Sequence, residues 1–157
     1  MPATVIDRLR SLRVSDAMTA RVVPLHSAQS LHEAGRTFAE HGVSAAPVVD
    51  EAGRCVGIFS LADLLKAREA PDRLSFPPEA KASDFMTAKV LSTTPEASLL
   101  SAAALMDERH VHRLPVLDQE GRLAGVLSTM DIVASLLHAV DEHDIALLEE
   151  ARREHRQ

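Results

Sequence analysis

Apolar residues recur along the chain with two alternating periods. Leu31, Ala34, Phe38 and Ala39 fall on one stripe of a helix, and Ser30 with Glu33 three residues on forms a capping-box pattern at its start. Two short apolar runs then flank Asp-Glu-Ala-Gly in "APVVDEAGRCVGIFS", which predicts a hairpin whose glycine supplies a positive φ. Helical spacing returns in "LADLLKA". The whole order then repeats: a stripe of Leu99, Ala102, Ala103 and Met106, the hairpin "LPVLDQEGRLAGVLS", and the helix "TMDIVASLLHAV".

A shift of 68 residues superposes the two halves without a gap from Ser15 to Lys66, and 19 of these 52 positions are identical in the second half. The unit is therefore duplicated. Pro47/Pro115, Asp50/Asp118, Gly53/Gly121 and Gly57/Gly125 shape the backbone, whereas Ser60/Ser128 and Asp63/Asp131 are polar groups at the end of an apolar run. Each copy reads strand, helix, strand, turn, strand, helix: an α+β fold of small three-stranded sheets with both helices on one face. At about 55 residues a lone copy buries too little surface, so the two are expected to pack through their sheets.

The expected units span residues 14–70 and 82–140, with a proline-rich linker at 71–81, an N-terminal segment at 1–13 and a tail at 141–157. The tail begins acidic and ends basic and carries Ile145 and Leu148 one turn apart, so it reads as a helix aligned with its dipole. It suits a solvated tail and a helix docked on a second subunit equally well.

Composition narrows the function. The chain has 157 residues, 46% of them hydrophobic, and a net charge of -6. That content supports a real core, and the mixed charge offers no basic face for nucleic acid. The single cysteine, Cys55, fits a reducing compartment and excludes an internal disulfide. No apolar run reaches the roughly 20 residues that span a bilayer, and "MPATVIDRLR" does not read as a signal peptide, so a cytoplasmic protein is expected. With no Trp, no Tyr and four Phe, a flat ligand must be gripped by aliphatic side chains and backbone.

The candidate chemistry sits at two kinds of place. Ser60 with Asp63, and Ser128 with Asp131, stand at strand-to-helix junctions. There a Ser caps the helix and an Asp suits its first turn. The same junction presents backbone N–H groups to a phosphate, and a carboxylate one turn on suits the paired hydroxyls of a ribose. Gly57 and Gly125, in mid-strand, point to close approach of a backbone or a ligand.

The second place is "HVHRLPV", residues 110–116, where Arg113 and His112 suit a phosphate and the first copy has the uncharged "GVSAAPV". On a strand His110 would share a face with His112. A metal site from these two histidines has no acidic or cysteine partner at a convincing spacing. No catalytic constellation is present, and Cys55 reads as core.

The ordered set "SDxMT", the helix, and "PVxDxxGRxxGxxSxxD", occurring twice from Val14 to about His138, resembles a tandem pair of CBS domains, the Bateman module. The resemblance implies β-α-β-β-α units related by a pseudo-two-fold axis, with two clefts between their sheets. It implies regulatory binding of AMP, ADP or ATP, with Mg2+ as a companion of ATP, or of S-adenosylmethionine, and no catalysis. It also implies a homodimer acting on a separate effector protein. A ligand-free scaffold and a metal-binding module are the alternatives.

By the same resemblance Asp63 and Asp131 read the ribose, and Ser60 and Ser128 lie near the phosphate. Thr19 and Val22, with Thr87 and Val90, line the adenine pocket. His112 and Arg113, followed by Pro115, contact phosphate in the cleft that holds Ser60 and Asp63. Ser44 and Ala45 stand at the equivalent place in the first copy, so one well-equipped cleft and one weaker cleft are expected.

Overall fold

The computed structural model describes residues 4–140 and 145–156, without the side chains of 146–148. The expected pairing of Ile145 with Leu148 therefore lies outside the described residues, as do residues 141–144 of the tail. The first half holds helices α1 (Val5–Ser11) and α2 (Val14–Ala17), strand β1 (Leu25–His26), helix α3 (Leu31–His41), strands β2 (Ala45–Val49) and β3 (Cys55–Ser60), and helix α4 (Leu61–Ala67). The second holds α5 (Ala82–Phe85), α6 (Leu99–Arg109), β4 (Arg113–Leu117), β5 (Leu123–Ser128) and α7 (Thr129–Ala139), with the tail helix α8 (Ile145–Glu154) after it. Among the described residues no helix is long and apolar enough to cross a membrane.

Local chemistry sets these elements as expected. Ser30 Oγ accepts from the Glu33 N–H at 3.2 Å while Glu33 Oε2 accepts from the Ser30 N–H at 3.0 Å, closing the capping box of α3. Gly53 and Gly121, with φ of 79° and 78°, turn the two hairpins. Leu31, Ala34 and Phe38 are buried along α3, but Ala39 is exposed. It follows Phe38 by about 100° of helical rotation and so leaves the stripe.

Two expectations are corrected. The second sheet has two strands, β4 and β5, because its third strand shrinks to one bridge, Thr93 to Val116, which the repeat relates to the Leu25–Val48 pair of β1 and β2. His110 is not on a strand: it ends α6 in the left-handed conformation (φ 53°), where the first copy has Gly42 (φ 62°). The strand begins three residues later, at Arg113.

The copies also exchange their leading segments. Val14, with Leu12, Ala17 and Met18, packs into the core of Leu99, Met106, Leu114, Val116 and Leu127 in the second half. Ala80 and Ala82, with Met86, join Leu25, Leu31, Phe38, Val48 and Phe59 of the first. Backbone bonds fix the exchange symmetrically. Thr19 and Val126 each donate an N–H to the other's carbonyl, at 2.9 and 3.0 Å, and Ile58 and Thr87 do the same at 3.0 and 2.9 Å. This explains the mid-strand glycines: a Cβ on Gly125 would lie 2.7 Å from the Thr19 carbonyl oxygen, and one on Gly57 2.7 Å from that of Thr87.

The hairpins meet on the pseudo-two-fold axis. Arg54 bridges Arg122, Cys55 donates its N–H to Gly121 at 3.1 Å, and Leu123 donates to Gly53 at 3.3 Å. The result is an α+β pair of similar units joined at their sheets.

Candidate ligand-binding site

A cavity of about 840 Å³ opens beside this axis, within the range of about 300–1,000 Å³ usual for small-molecule sites. Its apolar walls come from both copies: Val22, Pro47 and Ile58 from one, Pro115 and Val126 from the other. The register explains its polar end. Arg113 is the cross-strand partner of Ser128, and Thr129 donates its N–H to the His112 carbonyl at 3.0 Å. His112, Arg113, Ser128 and Asp131 are thereby gathered at one end of the β4–β5 ladder, and all four line the cavity with Thr19.

Asp131 is held by its role as a cap. Its Oδ2 accepts from the Ser128 N–H at 2.8 Å, and its own N–H donates to Ser128 Oγ at 3.1 Å. The other carboxylate oxygen takes no hydrogen bond among the described residues and remains available to a hydroxyl pair. Asp63 makes the matching box with Ser60, its Oδ2 accepting from the Ser60 N–H at 2.8 Å and from Ser60 Oγ at 2.9 Å. Both S-x-x-D pairs are thus helix caps first, and any ligand role is added to that one.

His112 and Arg113 share this cavity with Ser128 and Asp131, while Ser60, Asp63, Thr87 and Val90 occupy the repeat-related positions and do not line it. Arg113 lies on the same β-hairpin as Ser128, and Ala45 and Ala46 of β2 line the same cavity from the first copy, so both copies contribute a strand to it.

Among the lining residues that the sequence does not single out are two with nitrogen-bearing side chains: Arg21, after the exchanged Thr19, and His41, in the last turn of α3. A signal for them exists in the repeat, because Lys89 and Arg109 stand at the shifted positions and preserve the basic character. His41 Nδ1 lies 3.1 Å from the Thr37 carbonyl oxygen.

Cys55 lies at the axis seam, where burial pushes its thiol up and its Sγ contacts the Gly57 carbonyl oxygen at 3.6 Å. Among the described residues no group of three or more His, Cys, Asp and Glu side chains could hold a metal ion.

Comparison with known proteins gives a consistent picture. The family model described as CBS domain matches residues 14–70 and 82–138. The CBS domain-containing protein YhcV of Bacillus subtilis is 30% identical over 122 residues, covering 78% of this chain and 84% of that protein. A homoserine O-acetyltransferase of Methanococcoides burtonii is 31% identical over 119 residues, covering 76% of this chain, which spans only 23% of that longer protein.

Among solved structures, CBSX2 in complex with AMP superposes with a TM-score of 0.72 at 27% identity, covering 82% of this chain and 98% of the other. The CBS domain pair of MJ0100, in complex with 5-methylthioadenosine and S-adenosyl-L-methionine, gives 0.65 at 26% identity, with coverages of 78% and 94%. The cytosolic domain of the Mg2+ channel MgtE in complex with ATP gives 0.67 at 27%, with coverages of 78% and 48%.

Proposed function

Because the chain belongs to the CBS domain family and carries the domain twice, we propose that it is a regulatory module that binds an adenine nucleotide in the Asp131 cavity and signals to a partner protein. The observation that carries this reading is one cavity in which a ribose-suited carboxylate, two arginines and apolar walls from both copies converge. AMP, ATP and adenosyl compounds in the related structures support the ligand class. Adenine lies between Val22 and the Val126 wall, with Thr19 beside it, the ribose rests on Asp131, and the phosphates meet Ser128, His112 and Arg113. Ser60, Asp63, Thr87 and Val90 form a second position related to the first by the repeat. The single Cys55 fits action in the cytoplasm.

A thermal-shift screen of AMP, ADP, ATP, with and without Mg2+, and S-adenosylmethionine tests the reading. A ligand at 100 times its Kd adds about 2.7 kcal/mol and moves the midpoint by several degrees. No shift with any adenosine compound hands the case to a ligand-free scaffold. Asp131→Ala is expected to weaken ribonucleotides about tenfold, the worth of about 1.4 kcal/mol, and to leave 2′,3′-dideoxy analogues nearly unchanged. Equal losses for both would show that Asp131 serves only as a cap.

A second copy of the chain is the proposed partner of an apolar stripe on α7, where Met130 is 70% exposed and Val133 and Leu136 follow on the same face. Leu65 on α4, the repeat equivalent of Val133, is also exposed, so the pseudo-symmetry offers two such faces to an isologous contact. Sedimentation equilibrium is expected to give twice the 17.0 kDa chain mass, and a single-chain mass at micromolar concentration would refute the dimer.

A further inference from the structure

The cavity's charge runs against that of the chain. The protein carries a net charge of -6, yet Asp131 is the one carboxylate among the lining residues, against Arg21 and Arg113. His41 and His112 add two further nitrogen donors. Among the described residues neither arginine makes a side-chain hydrogen bond or an ion pair. Both guanidinium forks are therefore uncommitted, and a fork is suited to paired phosphate oxygens.

The two basic groups arrive by different routes. Arg113 and His112 stand at the entrance of β4, beside the Ser128 cap. Arg21 follows the exchanged segment that runs along β5 through the Thr19–Val126 bonds, and His41 ends α3 of the first copy. A ligand with one phosphate on Arg113 and Ser128 leaves Arg21 and His41 without an anion. The volume of about 840 Å³ lies in the upper part of the usual range and leaves room for a longer tail.

We propose that Arg21 and His41 are specificity-determining residues: with Arg113 they select a polyphosphate tail, so that nucleoside triphosphates bind in preference to monophosphates and cationic adenosyl sulfonium compounds are rejected. This rests on the nucleotide reading above. It adds the discrimination that the family fold leaves open, since a sulfonium brings a positive charge into a cavity already rich in it.

Isothermal titration of the full chain with ATP, AMP, adenosine, S-adenosylmethionine and inorganic tripolyphosphate tests it, repeated with Arg21→Ala and Arg21→Lys. ATP is expected to bind at least about tenfold more tightly than AMP or S-adenosylmethionine, and tripolyphosphate to displace it. Arg21→Ala is expected to weaken ATP and tripolyphosphate by about tenfold or more and AMP by less than about threefold, to leave adenosine unchanged, and to be partly rescued by Arg21→Lys. His41→Ala is expected to act in the same direction.

Equal affinity for ATP and AMP, equal loss of both in Arg21→Ala, or S-adenosylmethionine binding as tightly as ATP would overturn the proposal. The two readings fail separately. Adenosine binding without tripolyphosphate binding refutes polyphosphate selection and keeps the adenosine site. Arg21-dependent tripolyphosphate binding that no adenosine compound competes with refutes the adenosine site and keeps the anion site.

Discussion

Phe59→Ala is expected to cost about 3–5 kcal/mol of folding stability, the usual loss for a fully buried aromatic. Phe59 is completely buried and stacks on Phe38 with ring centroids 5.9 Å apart, in a core that also holds Leu25, Leu31 and Val48. Its removal leaves a cavity that β3, which carries it, cannot close, because β3 is held to β2 in continuous register from Ala45–Ser60 to Val48–Gly57. Against a total stability of about 5–15 kcal/mol for a domain, the loss is about a fifth or more. Urea denaturation checks it: a lower midpoint with an unchanged slope is expected, and a loss below about 1 kcal/mol would show that the first copy's core is not centred on this ring.

Replacing His112 and Arg113 together by Ala is expected to weaken ATP about 100-fold or more. Two charge-assisted contacts of about 1.5–3 kcal/mol each are removed, and about 2.7 kcal/mol already corresponds to two decades. Both residues are exposed, and neither side chain makes a hydrogen bond among the described residues, so the fold itself should change little. Titration calorimetry separates the cases. Adenosine affinity should survive the double substitution, and an unchanged ATP affinity would remove the pair from the phosphate position.

What could be read from the sequence was local. The capping box at Ser30, the serine caps at Ser60 and Ser128 and the glycine turns at Gly53 and Gly121 each depend on residues within four positions of one another, and all five form as expected. The duplication was equally legible, because it rests on identities alone. Gly57 and Gly125 announced a close approach, and the approaching groups are the backbones of Thr87 and Thr19.

The rest depended on choices that the repeat hides. Two copies aligned without a gap are interchangeable, so nothing in the pattern says that Val14 packs with Leu127 and Ala82 with Phe59. That exchange carries Thr19 to Val126 and Arg21 into the Asp131 cavity. The resemblance pairs His112 and Arg113 with Asp63, and the β4–β5 ladder also brings them to the Asp131 cavity. His110 departs from the strand pattern for a different reason. Without a glycine at the end of α6 the left-handed cap is invisible, since a histidine there breaks the usual preference.

The most direct measurement is a crystal structure of the full chain grown with ATP. The predicted result places the ribose hydroxyls within about 3 Å of Asp131 and the phosphates within hydrogen-bond reach of Arg113 and Ser128. A nucleotide lying beside Ser60 and Asp63 with the Asp131 cavity unfilled, or no nucleotide at saturating concentration, would contradict it.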